Sequence, residues 1–144
     1  MYWERICAMT SWRRGAGRYD CVFCEADEDN EGFRALHVAR VLLFFSLRHD
    51  RVYYPCALVT WFSPVSNEPC SDTELWKVKP DMDAAGKWVM SVIHLDCILC
   101  AAHLIGVVGE ESVPKGFKPS DSLDLFPSFF VNKYVDYHAH EIAF

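Results

Sequence analysis

No apolar run in this chain approaches the ~18 residues that a membrane-spanning helix needs. The longest, Cys97 to Val108, is broken by His103 and reads as buried core. A basic excess is missing too: 14 Lys and Arg stand against 20 Asp and Glu, giving a formal charge of -6 and a pI near 5.4. That balance excludes a uniformly basic coat for nucleic acid. The N-terminus, Met-Tyr-Trp-Glu-Arg-Ile-Cys, holds an acid and a base and no long apolar stretch, so it does not read as a signal peptide. Gly15-Ala16-Gly17 lacks the preceding strand and following lysine of a phosphate loop. There is no nucleophile-elbow pattern, and no alternation of strand and helix that would build a nucleotide-binding sheet.

What the chain has in quantity is apolar and aromatic surface. Over 144 residues, 51% are hydrophobic, 15% aromatic and 24% charged. One packed core is within reach, wholesale disorder is excluded, and little room is left for a second domain. The expectation is a soluble intracellular protein with a basic N-terminal arm, residues 1–18, ahead of a single β-rich domain, residues 19–144.

Seven cysteines are an odd number, and without a secretion signal a disulfide framework is the weaker reading. Cys21 and Cys24, and Cys97 and Cys100, stand at the spacing of zinc knuckles, and four thiolates at tetrahedral corners would satisfy the metal. Each pair, however, lies in an apolar stretch. On an extended strand, residues three apart point to opposite faces. The intervening ~72 residues are long for a compact finger. Buried reduced thiols are the leading expectation, with zinc the alternative. Cys56, inside Tyr54-Pro55-Cys56-Ala57-Leu58-Val59, reads as core.

Arg5, Arg13, Arg14 and Arg18 precede an acidic stretch from Asp20 to Glu31, which reads as a solvated loop over Glu25 to Gly32. From Ala35 to Ser46 the pattern predicts a strand that is apolar on both faces. His37, Ala39, Val41, Leu43 and Phe45 share one face; Leu36, Val38, Arg40, Leu42 and Phe44 share the other. His49-Asp50-Arg51 marks a turn, and Val52 to Phe62 completes a hairpin in which Pro55 implies an edge or a bulge. Ser63 to Thr73 is loop chemistry, and shorter strands follow at Leu75–Val78 and Trp88–Leu95, with Ala101–Val108 a further strand or a short helical bend followed by one. Leu123, Phe126, Phe130, Tyr134 and Tyr137 recur at helical spacing, which predicts a C-terminal amphipathic helix from about Pro127 to Tyr137. The fold class expected is mainly β (α+β), a small curved sheet or barrel of five to six strands closed by that helix.

Chemistry has few footholds. His94 and Asp96 lie two apart, with Cys97, Cys100 and His103 nearby, and a thiolate–histidine pair is conceivable there. Asp81 and Asp83 read as turn caps, and His138 as a cation at a helix C-terminus. For nucleic acid, the candidates are Arg13, Arg14 and Arg18 interleaved with Trp12 and Tyr19: guanidinium groups neutralise phosphates and rings offer stacking platforms. For a protein partner, Tyr53, Tyr54, Trp61 and Trp76 could form an aromatic cage around a cation.

A series of phrases carries a further signal. It runs through Ser11-Trp12-Arg13-Arg14, Arg18-Tyr19-Asp20-Cys21-Val22-Phe23, Val38-Ala39-Arg40-Val41 with Leu43-Phe44-Phe45-Ser46, and Tyr54-Pro55-Cys56-Ala57-Leu58-Val59 with Trp61-Phe62. It continues through Trp76, Val78 and Pro80, Val92-Ile93-His94-Leu95-Asp96, Ala101-Ala102-His103-Leu104-Ile105 and Gly109, to Val131-Asn132-Lys133-Tyr134-Val135-Asp136 and His138-Ala139. In this order the series resembles the C-terminal segment of proteins encoded by Plavaka-type DNA transposons of mushroom-forming fungi. Those proteins are read as cut-and-paste transposases whose RNase H-like catalytic core lies upstream of this segment. The resemblance implies a nuclear accessory domain without catalytic residues of its own. The family pattern has an apolar residue where Cys24 stands, an arginine where Cys100 stands and a tyrosine where Val108 stands. These departures weaken the zinc reading and remove a positive charge beside Ala101.

The functional expectation is therefore a non-catalytic accessory domain that binds DNA, chromatin or a protein partner, with no cofactor and no membrane association. The alternative is a structural or oligomerisation domain, with or without stabilising zinc, that has no ligand of its own.

Overall fold

Two long strands rich in β-branched and aromatic residues dominate the chain: β4, Leu36–His49, and β5, Val52–Pro64. Asp50 and Arg51 between them both take positive φ (47° and 65°), the mirror-image turn whose twist matches a two-residue hairpin. The computed structural model describes residues 4–26, 32–108, 115, 116, 118 and 122–134. Around the hairpin stand β1 (Ala8–Met9), β2 (Arg18–Tyr19), β3 (Cys21–Glu25), β6 (Lys77–Pro80), β7 (Met90–His94), β8 (Ile98–Ala102), β9 (Leu104–Gly106) and β10 (Phe129–Val131). One helical turn, α1 (Ser122–Leu125), precedes β10, and short 3-10 turns occupy Gly32–Ala35 and Leu95–Cys97.

The chain is mainly β. Eight strands form one antiparallel sheet in the order β8-β3-β4-β5-β6-β10-β9, and β7 pairs with the remaining edge of β5. β1 and β2 form a separate two-stranded ribbon. The two ends of the sheet, β8 and β9, are consecutive in the chain and separated by His103 alone. Cys100, Ala102 and Leu104 all contribute to one core cluster, so the strand does not flip at His103. It pairs with β3 through its first half and with β10 through its second, and so nearly closes the sheet into a barrel.

The barrel interior is filled from β3, β4, β5, β6, β8 and β10: Cys21, Phe23, Val38, Phe62, Val78, Cys100, Ala102, Phe129 and Val131. Phe62 and Phe126 each meet Phe129 edge-on, with centroids 5.9 and 6.4 Å apart. At the other end, Phe33 stacks on Trp76 at 4.7 Å. Alternation along β4 also sends Arg40 inward. Its Nη1 donates to Asp124 Oδ1 at 3.0 Å, and Tyr19 and Trp88 present ring faces to the guanidinium at 5.5 and 5.9 Å. A second core lies on the outer face of the same strands. Val22, Cys24, Ala39, Val41, Ala57 and Val59 are roofed by Ile6 and Ala8 on one side and by Ile93, Leu95 and Ile98 on the other.

Three expectations change. The main sheet has eight strands rather than five to six, because one stretch divides into β8 and β9 and the tail adds β10. The C-terminal helix is not formed where the chain is described: Phe129–Val131 is a strand, and residues 135–137 lie outside the described residues. Third, the two faces of β4 exchange partway. The register shifts between Val41 and Leu43, a bulge that places one extra residue opposite β5. Beyond it, Phe44 joins Ala39 and Val41 in the outer core, while Leu43 and Phe45 continue the face of Leu36 and Val38.

Gly106 continues the inward series, and a Cβ there would overlap the Phe126 ring. Gly106→Ala is expected to lower stability by about 1–3 kcal/mol, the usual cost of overpacking. Denaturant unfolding measures it, and adding Phe126→Leu should recover part of the loss.

Candidate functional site

The basic segment is folded. Met9 and Ala8 pair with Arg18 and Tyr19, and the loop between them is tied by Trp12 N–H to Ala16 O at 3.1 Å and Gly15 N–H to Trp12 O at 2.8 Å. Arg13 and Arg14 take positive φ (48° and 64°) in that loop. The guanidinium groups of Arg13 and Arg18 both lie over the Trp12 ring, at 5.5 and 4.8 Å. Arg18 is also spent on Asp20: Nε and Nη2 donate to the two carboxylate oxygens at 2.8 and 2.9 Å. This hydrogen-bonded pairing raises the Arg18 pKa above its ordinary value. The same carboxylate accepts the Cys7 N–H at 2.8 Å, which fixes the ribbon to the barrel. Trp12, Arg13 and Arg18 thus form one cluster. Tyr19 turns away from it toward Arg40. Arg14 stands exposed.

The four candidate cage aromatics do not converge. Trp76 is buried against Phe33 in the barrel, and Trp61 is half-buried on the outer face with His37 edge-on at 5.5 Å. Tyr53 and Tyr54 are neighbours on a strand and so face opposite ways; Arg48 covers the Tyr53 ring at 5.5 Å. Between the Phe33–Trp76 end of the barrel and the loop after β5 lies an open groove of about 470 Å³, lined by Leu36, His37, Pro64 and Asn67. Arg34 spans it by donating to the Asn67 carbonyl at 3.1 Å.

The cysteines divide as strand alternation dictates. Cys21 and Cys100 face the barrel interior, and Cys24 faces the outer core, near Cys97. The four thiols therefore do not meet at one point, and no group of three or more His, Cys, Asp or Glu among the described residues could hold a metal ion. His94 is occupied as a cap: its Nδ1 accepts the Asp96 N–H at 3.1 Å at the start of the Leu95–Cys97 turn. Asp83 likewise caps a turn, accepting the Ala85 and Lys87 N–H groups at 2.8 and 3.0 Å. His138 lies outside the described residues.

Sequence reasoning missed a different surface. Past the bulge, the hairpin leaves the barrel, and much of its barrel-side face is exposed, with Cys56 buried in its middle between Phe45 and His94. Leu43 and Leu47 on β4, Val52 on β5, and Met90 and Val92 on β7 are each 49–55% exposed. The cross-strand register puts all five on one face with Tyr54 and Leu58. Scattered apolar residues are ordinary on a protein surface, but a contiguous apolar face is a recognition feature. The signal was present in sequence as apolar residues on both faces of both long strands, but only the bulge decides which side stays uncovered. No helix among the described residues is long and apolar enough to cross a membrane. Comparison with family models, with curated proteins and with solved structures finds no match to this chain.

The thiols give a direct check of this geometry. Cys70 sits in an exposed turn where the Asp72 N–H, and then the Thr73 hydroxyl and N–H, stabilise its thiolate and lower its pKa. Burial pushes Cys21 and Cys24 up from 9.0 to about 12. Iodoacetamide near neutral pH should therefore label Cys70 first and leave Cys21 and Cys24 untouched until the chain unfolds, as read by peptide mass spectrometry. Above pH 9 the unfolded chain ionises these two thiols before the folded one does. The stability they preserve is thus intact below pH 9 and lost as pH rises toward 12.

Proposed function

We propose that this chain is a non-catalytic protein-interaction module, the accessory part of a transposase-like nuclear protein, that engages its partner through the uncovered face of β4, β5 and β7. The observation that carries the reading is the contiguous apolar surface formed by Leu43, Leu47, Val52, Met90 and Val92, which two folded cores leave unburied. Such a face suits a partner that is itself apolar and shape-complementary, and its binding should depend little on salt.

Duplex DNA is the second reading, favoured by one feature: Arg13 and Arg14 are exposed and have no carboxylate partner among the described residues. Against it, Arg18 is neutralised by Asp20, both nearby guanidinium groups already cover Trp12, and the chain carries a net charge of -6. A few phosphate contacts from an acidic chain give weak, strongly salt-dependent binding.

The two readings separate in one pair of measurements. A photo-crosslinking side chain at Val92 should give protein adducts in nuclear extract, while the same group at Lys79, on the outside of β6, gives none. Anisotropy with duplex DNA should show a dissociation constant no tighter than about 10⁻⁶ M at physiological salt, the tight end of the non-specific range. Absence of adducts at Val92, together with duplex binding that is lost in Arg13→Ala/Arg14→Ala, would overturn the proposal in favour of DNA.

A further inference from the structure

Among the described residues, Arg40 Nε is the one buried side-chain nitrogen or oxygen without a hydrogen-bond partner. The arginine as a whole is 7% exposed, and of its N–H donors only one, on Nη1, is engaged, by the 3.0 Å bond to Asp124 Oδ1. Arg18 shows the same group fully matched: its Nε and Nη2 grip both oxygens of Asp20 at 2.8 and 2.9 Å. The neighbours of Arg40 do not make up the difference. Cys21 stands directly across the ladder on β3, and burial keeps it a neutral thiol, its pKa pushed up to about 12. Thr60, opposite on β5, carries no charge. Tyr19 and Trp88 offer ring faces at 5.5 and 5.9 Å, which stabilise the cation but accept none of its in-plane N–H groups. An unmatched donor on a buried charge is costly, so an acceptor that takes two of these N–H groups has more to gain here than at an exposed arginine.

We infer that Arg40 is the centre of an oxyanion-binding site at this end of the barrel, in which Asp124 is a tethered stand-in that an external carboxylate or phosphate group replaces. The pair is built unevenly. The Asp124 side chain is 51% exposed against 9% for Arg40, so the carboxylate gives up little hydration by pairing and regains it on leaving. The α1 segment that carries it is a single turn, Ser122–Leu125. An oxyanion not tied to the chain can turn to take two N–H groups at once, the bidentate geometry to which a guanidinium is matched. The site is separate from the exposed Arg13 and Arg14 of the ribbon, since Arg40 lies on β4 within the barrel end. Its strength comes from burial of one charge rather than from summed surface charge, so salt screens it less.

The probes are inorganic phosphate and acetate, each titrated with ionic strength held constant by sodium chloride. In a proton–nitrogen NMR spectrum of the arginine side chains, the Arg40 Nε–H signal is the one missing from Arg40→Lys. It should shift saturably, with a dissociation constant of about 1 mM for the better anion, well within the ceiling for so small a ligand. Saturation at the lower concentration by phosphate assigns a phosphate-bearing ligand, and by acetate a carboxylate. Asp124→Asn, an isosteric change at a half-exposed position, should tighten binding roughly ten-fold by removing the competitor. Arg13→Ala/Arg14→Ala should leave it unchanged. The inference is overturned if the Arg40 signal moves with neither anion, if Asp124→Asn binds no tighter than the wild type, or if the Arg13 and Arg14 variant abolishes the shift. Should Arg40→Lys fail to fold, correlation to the Arg40 backbone gives the same assignment, and the comparison with Asp124→Asn stands unaltered.

Discussion

The bulge between Val41 and Leu43 sets the arrangement of the remaining chain. Before it, β4 alternates between two cores: Leu36, Val38 and Arg40 inside the barrel, Ala39 and Val41 beneath the outer roof. A strand apolar on both faces is stable only if both faces are covered. The barrel can cover the first turn of the hairpin but not its far half. Inserting one residue exchanges the faces, so Phe44 enters the outer core and Leu43, Phe45 and Leu47 emerge on the barrel side past the point where the barrel ends. Without the bulge, Phe44 would be left outside and the smaller outer core would have to admit Leu43 and Phe45. One register shift thus decides what is core and what is surface.

Closure of the barrel depends on a second local device. The strand from Ile98 to Gly106 must serve both ends of the sheet, and it can do so because His103 breaks the ladder without reversing the inward series. The His103 carbonyl is not left unsatisfied, since it accepts the Asn132 N–H at 2.8 Å. At the mouth, Gly106 leaves room for the Phe126 ring, and Asp124 on α1 reaches back to Arg40. An arginine with only 7% of its surface exposed is costly to bury. The carboxylate and two ring faces offset that cost at one spot, which pins the tail across the barrel end.

The long hairpin was legible in the sequence because its signals are local: β-branched and aromatic runs, the Asp50-Arg51 turn, and Pro55 at an edge. So was the division of the cysteine pairs, since Cys21 and Cys24 lie three apart on a strand. The tail misled for a physical reason. Leu123 lies on the helical turn and Phe126 just past it, both packed on the core, while Phe130 lies on β10 facing away from the core that Phe129 and Val131 fill; spacings of three and four across a change of secondary structure thus imitate a single helical period. Trp76 and Trp61 read as candidate cage walls because composition cannot separate a ring in a core from a ring in water. The cluster of Trp12 with Arg13 and Arg18 was foreshadowed by their interleaving. Its partial neutralisation by Asp20 was not, because that requires the hairpin that brings Cys7 and Asp20 together.

Exposed strand edges are a hazard that proteins manage, and this one manages its edges selectively. On β8, the Ala101 N–H that no described strand takes up donates to Glu4 Oε2 at 2.8 Å, so a charged side chain covers that edge. On the far half of β5, Pro55 withholds a donor. The β4 edge, the longest of the three, carries Phe44, Phe45 and Leu47 between the bulge at Leu42 and the charged Arg48. Each edge is thus blunted by a different device: a carboxylate on β8, a proline on β5, and on β4 the bulge together with Arg48.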